Sequence, residues 1–184
     1  MKIHSTEIEG LMIIVPDIFE DFRGYFFESF QKSKYNFLNK EIQFVQDNEA
    51  SSSYGVIRGL HYQLFPYGQA KLVRAVTGEI LDVAVDIRPG SNTYGQHFSI
   101  LLSEENKHQL YIPEGFAHGY AVLSPGAIFS YKCSNYFNPK YEAGIHYADP
   151  KLGIDWKLKT ENIIISEKDL QLPYFGKHSP YESE

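Results

Sequence analysis

Glu79-Ile80-Leu81-Asp82-Val83-Ala84-Val85-Asp86-Ile87 reads as one β-strand, and its pattern decides the fold class. Leu81, Val83, Val85 and Ile87 alternate with Ile80, Asp82, Ala84 and Asp86, so one face is wholly apolar and the other carries two carboxylates. In an outer sheet those aspartates face water; across a barrel they orient a histidine or hold a basic side chain. Both readings stay open at this level. On either side, residues 11–16, 24–30, 56–63, 70–77, 96–102, 109–113, 119–123 and 127–134 are short and rich in β-branched or aromatic residues. Thr77-Gly78-Glu79, Arg88-Pro89-Gly90-Ser91-Asn92 and Ser124-Pro125-Gly126 supply turns between them. Helical signal is confined to residues 29–39 and to Ser166-Glu167-Lys168-Asp169, which has capping-box spacing before Leu170. Neither provides the crossover helices that a parallel sheet needs, so the expectation is an all-β sandwich or small barrel with short peripheral helices.

The chain has 184 residues and no repeat or low-complexity tract, which predicts one domain over 1–184. A chain of this size buries roughly 70% of its extended surface and needs neither disulfide nor structural metal to fold. With 17 Lys and Arg against 23 Asp and Glu, its net charge of -6 argues against a broad nucleic-acid surface. It leaves room for a nucleotide, because a few arginines hold a diphosphate inside an acidic protein. Cys133 is the only cysteine, so no intramolecular disulfide forms and a reducing compartment is expected. Met1 to Gly10 lacks the continuous apolar stretch of a secretion signal, and no apolar run approaches the length of a membrane span. The expectation is a cytoplasmic protein with no membrane partner. Fourteen Tyr and thirteen Phe fit many half-buried strands, with rings left over for stacking on a planar ligand.

The densest set of reactive residues is Arg58-Gly59-Leu60-His61-Tyr62-Gln63, followed by Lys71-Leu72-Val73-Arg74. Strict period two puts Arg58, Leu60 and Tyr62 on one face and Ile57, His61 and Gln63 on the other. His61 is suited to proton abstraction near neutral pH, or equally to bonding a nearby carbonyl as a structural residue. A second set, Ile112-Pro113-Glu114-Gly115-Phe116-Ala117-His118-Gly119, delivers His118 from a turn fixed by Pro113 and Gly115. Arg23, at a turn before Phe26 and Glu28, would make a diphosphate clamp together with Arg58, or each arginine would simply form a surface ion pair. Tyr131 shares a predicted strand face with Phe129 and Cys133, so its hydroxyl needs a partner: a carbonyl or a bound substrate. No close histidine pair marks a metal site, and no Gly-x-Gly-x-x-Gly fingerprint marks a dinucleotide site.

In order and spacing, these motifs resemble the dTDP-4-dehydrorhamnose 3,5-epimerase family over nearly the whole chain. Phe19-x-Asp21-x-Arg23-Gly24-x-Phe26-Phe27-Glu28, Phe44-Val45-Gln46-Asp47-Asn48, Gly78-Glu79-x-x-Asp82 and Ser166-x-Lys168-Asp169 complete the match. The resemblance implies a cupin-like jelly roll, a homodimer, and epimerisation of a nucleotide-linked 4-keto-6-deoxy sugar without a cofactor or metal. It implies that His61 is the general base, Asp169 the carboxylate that orients it, Lys71 the enolate-stabilising residue and Tyr131 the general acid. Substrate-binding positions are implied at Arg23, Phe26, Glu28, Gln46, Asp47, Asn48, Arg58, Lys71, His118, Glu142 and Lys168. Phe137 takes the ring-stacking position that is often Tyr, and Lys157 follows Trp156 where members commonly carry proline. The substrate expected is dTDP-4-dehydro-6-deoxy-D-glucose, with dTDP-4-dehydro-L-rhamnose as product. Inversion of C3 alone, a keto sugar on another nucleotide such as GDP, a nucleotide-sugar-binding module without catalysis and a metal-dependent cupin are the other readings.

The chemistry suits these residues. A 4-keto group acidifies the hydrogens on both C3 and C5, because either carbanion spreads its charge onto the one carbonyl oxygen. Inversion then needs a base on one ring face, an acid on the other and a cation at the oxygen; no hydride leaves, so no nicotinamide is required.

Overall fold

The corner at Gly78 explains why two consecutive strands lie in different sheets. Its φ is +72°, and a Cβ there would sit 2.2 Å from the carbonyl oxygen of Gly126, so only glycine lets the chain turn so tightly. Before it runs β7 (Lys71–Thr77) and after it β8 (Glu79–Asp86). The computed structural model describes residues 1–38 and 42–182. In those residues the remaining strands are β1 (Lys2–Ser5), β2 (Met12–Val15), β3 (Phe19–Asp21), β4 (Gly24–Phe26), β5 (Gln46–Ser53), β6 (Ile57–Gln63), β9 (His97–Ser103), β10 (Gln109–Ile112), β11 (Phe116–Val122), β12 (Gly126–Cys133) and β13 (Glu142–Gly144).

One sheet has the order β1-β2-β10-β7-β12-β5 and the other β13-β6-β11-β8-β9, with the β3–β4 hairpin separate; the paired strands are antiparallel. The two sheets stack as a cupin-like jelly roll with short helices at its edge: the strand pattern pointed to an all-β sandwich or barrel, and the family resemblance implied the jelly roll. Residues 29–39, read as a short helix, contain a 3₁₀ helix at Lys32–Leu38; residue 39 lies outside the described residues. The Ser166 signal is a single α-helical turn, α1 (Glu167–Leu170), capped by Ser166 Oγ, which accepts from the Asp169 amide at 3.1 Å.

Both faces of β8 are buried, and its carboxylates lie inside. Ile80 and Ala84 join Val73, Leu110, Phe116 and Phe129 between the sheets, so Asp82 and Asp86 point into the sandwich too. The wholly apolar face packs outward: Leu81, Val83 and Val85 lie against Ile145, Leu152, Trp156 and Tyr181. The segment from Ile145 to Tyr181 thus forms a third, irregular layer over the five-stranded sheet. Burying each large apolar side chain stabilises by about 1.5–3 kcal/mol, so an uncovered row would be costly. In this layer Trp156 Nε1 donates to the Tyr147 carbonyl at 2.9 Å, and Lys157 adopts φ +59°, a value a proline ring forbids.

Candidate active site

The site begins with a register slip. Arg58 faces Tyr120 and His61 faces His118, leaving Gly59 and Leu60 opposite the single residue Gly119. This β-bulge replaces the strict alternation expected for β6. Ile57, Leu60 and Tyr62 pack under the C-terminal layer, while Arg58 and His61, expected on opposite faces, both border the interior cavity. Gly59 has φ +126°, and a Cβ on it would meet Gly119 Cα at 2.6 Å and the His118 carbonyl oxygen at 2.8 Å. The two backbones approach so closely that neither Gly59 nor Gly119 tolerates a side chain.

The same bulge builds a histidine–carboxylate dyad. His61 Nε2 lies 2.7 Å from Asp169 Oδ1, and the Gly59 amide donates to Asp169 Oδ2 at 3.3 Å. Burial works against ionisation of Asp169, but the hydrogen bond and charge of His61, with help from Gly59 and Lys168, hold its carboxyl below the ordinary value. The ionised carboxylate fixes the proton on Nε2 and leaves Nδ1 of His61 as an acceptor. The capping and orienting readings of Asp169 are compatible: its amide is capped by Ser166 while its side chain serves His61.

From the opposite sheet, Lys71 on β7 and Tyr131 on β12 border the same cavity of about 560 Å³, together with His118. Burial pulls the Lys71 ammonium below its ordinary value, against which Cys133, Asp82 and Glu142 act. Burial, with Cys133 and Tyr120 nearby, pushes the Tyr131 phenol up to about 12, so it is a protonated donor at neutral pH. A second cavity of about 280 Å³ shares His61, Lys71 and Tyr131 and adds Gln46, Asn48, Phe137 and Glu142. The three reactive side chains therefore sit where the two spaces meet, large enough together for a sugar and an extended appendage.

Half-exposed Phe137 is held by its amide, which donates to Gln46 Oε1 at 3.0 Å; Asn138 donates likewise to Gln63 Oε1 at 2.9 Å. Gln46 also donates to Asn48 Oδ1 at 3.1 Å. Lys168 pairs with Glu142 at 2.6 Å beside the cavity. Arg58 Nε donates to Ser52 Oγ at 3.0 Å. Ser52 was not anticipated: it lies in β5, whose Gln-Asp-Asn-Glu-Ala-Ser-Ser-Ser sequence has poor strand propensity. Of the two readings open for Asp82, the histidine partner holds, with Oδ2 at 2.9 Å from His118 Nε2. Asp86 holds a basic side chain, Arg88, at 2.7 Å.

Four expected substrate-binding residues lie elsewhere in this chain. Asp47 alternates onto the outer face of β5, where it pairs with Lys132 at 2.9 Å. Arg23 pairs with Asp21 at 2.5 Å on the exposed β3–β4 hairpin, which also displays Phe26. Glu28 pairs with Lys34. A clamp made of Arg23 and Arg58 of the same chain is therefore not formed. Among the described residues, no three His, Cys, Asp or Glu side chains converge as a metal site, and no helix is long and apolar enough to cross a membrane.

Comparison with known proteins gives concordant matches. A family model described as dTDP-4-dehydrorhamnose 3,5-epimerase matches residues 5–177. The chain is similar to the dTDP-4-dehydrorhamnose 3,5-epimerases of Methanothermobacter thermautotrophicus, 48% identical over 90% of this chain and 89% of the other, and of Escherichia coli K12, 48% identical over 94% and 93%. Its fold superposes with a TM-score of 0.94 on the dTDP-6-deoxy-D-glucose-3,5-epimerase of Legionella pneumophila Philadelphia 1, solved in complex with dTDP-4-keto-L-rhamnose. That pair is 47% identical, covering 100% of this chain and 99% of the other.

Proposed function

This chain belongs to the dTDP-4-dehydrorhamnose 3,5-epimerase family, and from that premise we propose how its residues epimerise dTDP-4-dehydro-6-deoxy-D-glucose to dTDP-4-dehydro-L-rhamnose. It is an isomerase acting on a nucleotide-linked 4-keto-6-deoxy sugar. The observation that carries the residue assignment is the placement of His61 and Tyr131 on opposite sheets around one cavity.

His61 Nδ1 takes the proton from C3 or C5, and the imidazolium formed is stabilised by Asp169 at Nε2. The electron pair moves onto the 4-keto oxygen, where Lys71 donates. Tyr131 then returns a proton to the other ring face, and the centre is inverted. A positioned base contributes roughly 10²- to 10⁴-fold and an oxyanion donor about 3 kcal/mol, so the two act together. Gln46, Asn48, Arg58, His118, Glu142 and Lys168 bind the nucleotide sugar around this centre, with Phe137 stacking on the base. The Phe ring keeps the stacking face and lacks the hydroxyl of Tyr.

We further propose a homodimer in which Arg23, Phe26 and Glu28 act across the interface. Their hairpin is too exposed for an isolated chain, with Phe22 98% and Phe26 65% accessible, and a second copy would cover it while supplying the diphosphate with a guanidinium. Asp47, on the outer face beside Lys132, belongs to the same proposal. The compartment proposed is the cytoplasm, because a nucleotide diphosphate does not cross a bilayer unaided.

The test is proton NMR of the substrate with the enzyme in deuterated water, following exchange and configuration at C3 and C5 separately. Inversion and deuterium at both centres is expected. Change confined to C3 would make the protein a mono-epimerase, and no exchange at either centre would overturn the assignment.

A further inference from the structure

Two histidine–carboxylate pairs share the interior, and the mechanism above uses one. The second is more deeply buried: His118 retains 6% of its surface and Asp82 none. His118 sits directly across from His61 in the β6–β11 pairing, and its ring stacks on Phe129 at 6.0 Å between centroids. Its Nε2 meets Asp82 Oδ2 at 2.9 Å, whereas Nδ1 has no hydrogen-bond partner among the described residues. Asp82 Oδ1 is buried and likewise unpartnered. A carboxylate satisfied on one oxygen only is a poor structural choice, since an orphaned buried acceptor costs free energy. What a carboxylate offers here, and an amide does not, is the certainty of accepting.

We propose that Asp82 is a positioning residue that fixes His118 as the Nε2–H tautomer, so that Nδ1 presents a lone pair to a hydroxyl of the bound sugar. Asparagine at this position could turn its NH₂ toward Nε2 and reverse the tautomer, converting the acceptor into a donor. The groups facing His118 are Asp82 from β8, His61 from β6, Lys71 from β7 and Tyr131 from β12. Burial pushes the imidazole below its ordinary value; Asp82 opposes this, and Lys71 and His61 add to it. Burial thus disfavours the charged form of the ring. The cavity contains donors in Lys71 and Tyr131 and, with Asp82 accepting at Nε2, an acceptor in His118 Nδ1, which selects a sugar presenting a hydroxyl at that point. The tautomer belongs to the free protein; its use on a sugar rests on the epimerase reading.

The experiment is nitrogen-15 NMR of the histidine-labelled full chain without substrate, combined with kinetics of Asp82→Asn, His118→Ala and the double variant. The wild-type spectrum should show His118 protonated at Nε2 and bare at Nδ1, and Asp82→Asn should exchange the two signatures. Asp82→Asn should lower kcat/KM by about tenfold to a hundredfold, as expected when a buried hydrogen bond is lost and its partner stranded. In the His118→Ala background it should add nothing, because Asp82 acts through that ring. A wild-type Nδ1–H signature, or fully additive effects, overturns the proposal. The wild-type spectrum decides even if a variant does not fold. It is read without substrate, so failure of the epimerase reading would leave it standing, and a wrong tautomer would leave the epimerase reading intact.

Discussion

Gly59→Ala separates the bulge account of the active site from the view that Gly59 merely tolerates its position. The new Cβ would lie 2.6 Å from Gly119 Cα and 2.8 Å from the His118 carbonyl oxygen, both backbone atoms that cannot rotate away. At φ +126° the substitution also occupies a backbone region that alanine strongly disfavours. Backbone strain of about 1–3 kcal/mol and overpacking of about 1–3 kcal/mol together make about 2–6 kcal/mol. Against a total stability of about 5–15 kcal/mol this is a large fraction, so the variant is strongly weakened. At roughly 2–4 °C per kcal/mol for a domain of this size, its Tm should fall by roughly 4–24 °C. To restore ordinary contact β6 and β11 must part by roughly 0.6–0.8 Å at the residue two before His61, and a 1 Å misplacement of a reacting group costs about 10²-fold in rate. Thermal unfolding and substrate deuterium exchange measured on the same sample check both numbers. Gly90→Ala is the control for strain: its φ is +79° but nothing lies within 4 Å, so its Tm should fall less. If Gly59→Ala melts within a few degrees of wild type and exchanges within threefold, the bulge does not position His61 and the reasoning fails.

Asp169→Asn should leave the fold in place and slow exchange about 10²- to 10⁴-fold, because an amide no longer holds His61 as the Nε2–H tautomer; single-turnover exchange at C3 measures it. Stability should also fall on mild acidification. Burial holds His118, His108 and His178 below the ordinary 6.5 in the folded state, so the unfolded chain binds protons first. Their contribution is complete above about pH 6.5 and is lost as pH falls toward the lower folded values. Unfolding midpoints between pH 8 and 5 should be flat at the alkaline end and decline below pH 6.5; a flat profile throughout would contradict it.

Alternating apolar residues made most of the sandwich legible, since a half-buried strand has to alternate. Where burial obeys another rule, the pattern misleads. The apolar side of β8 looks like the sandwich interior but lies under the Ile145–Tyr181 layer, which has no periodicity to announce it. The carboxylate side looks solvated and is fully enclosed because Asp82 and Asp86 have partners. β5 escapes notice because its inward residues, Gln46, Asn48 and Ser52, hold other polar groups and contribute little apolar signal. In β6 the glycine at 59 was visible, but which side chains it redirects depends on a partner strand about sixty residues away. The pairing of His61 with Asp169 spans 108 residues and has no local signature; only the ensemble of motifs led to it. Arg23 and Phe26 of the hairpin, and Glu28 just after it, were assigned by motif to a site that their own chain does not let them reach.

The irregular outer layer also supplies the last-synthesised part of the site. Ribosomes release chains from the N-terminus, so His61, Lys71, His118 and Tyr131 emerge before any of that layer. A nascent polypeptide halted near Ile165 carries these side chains but lacks Asp169, the partner of His61, and Tyr181 from the cover over Leu81, Val83 and Val85. The segment that completes the cover over the outward face of β8 is thus the same one that brings Asp169 to His61.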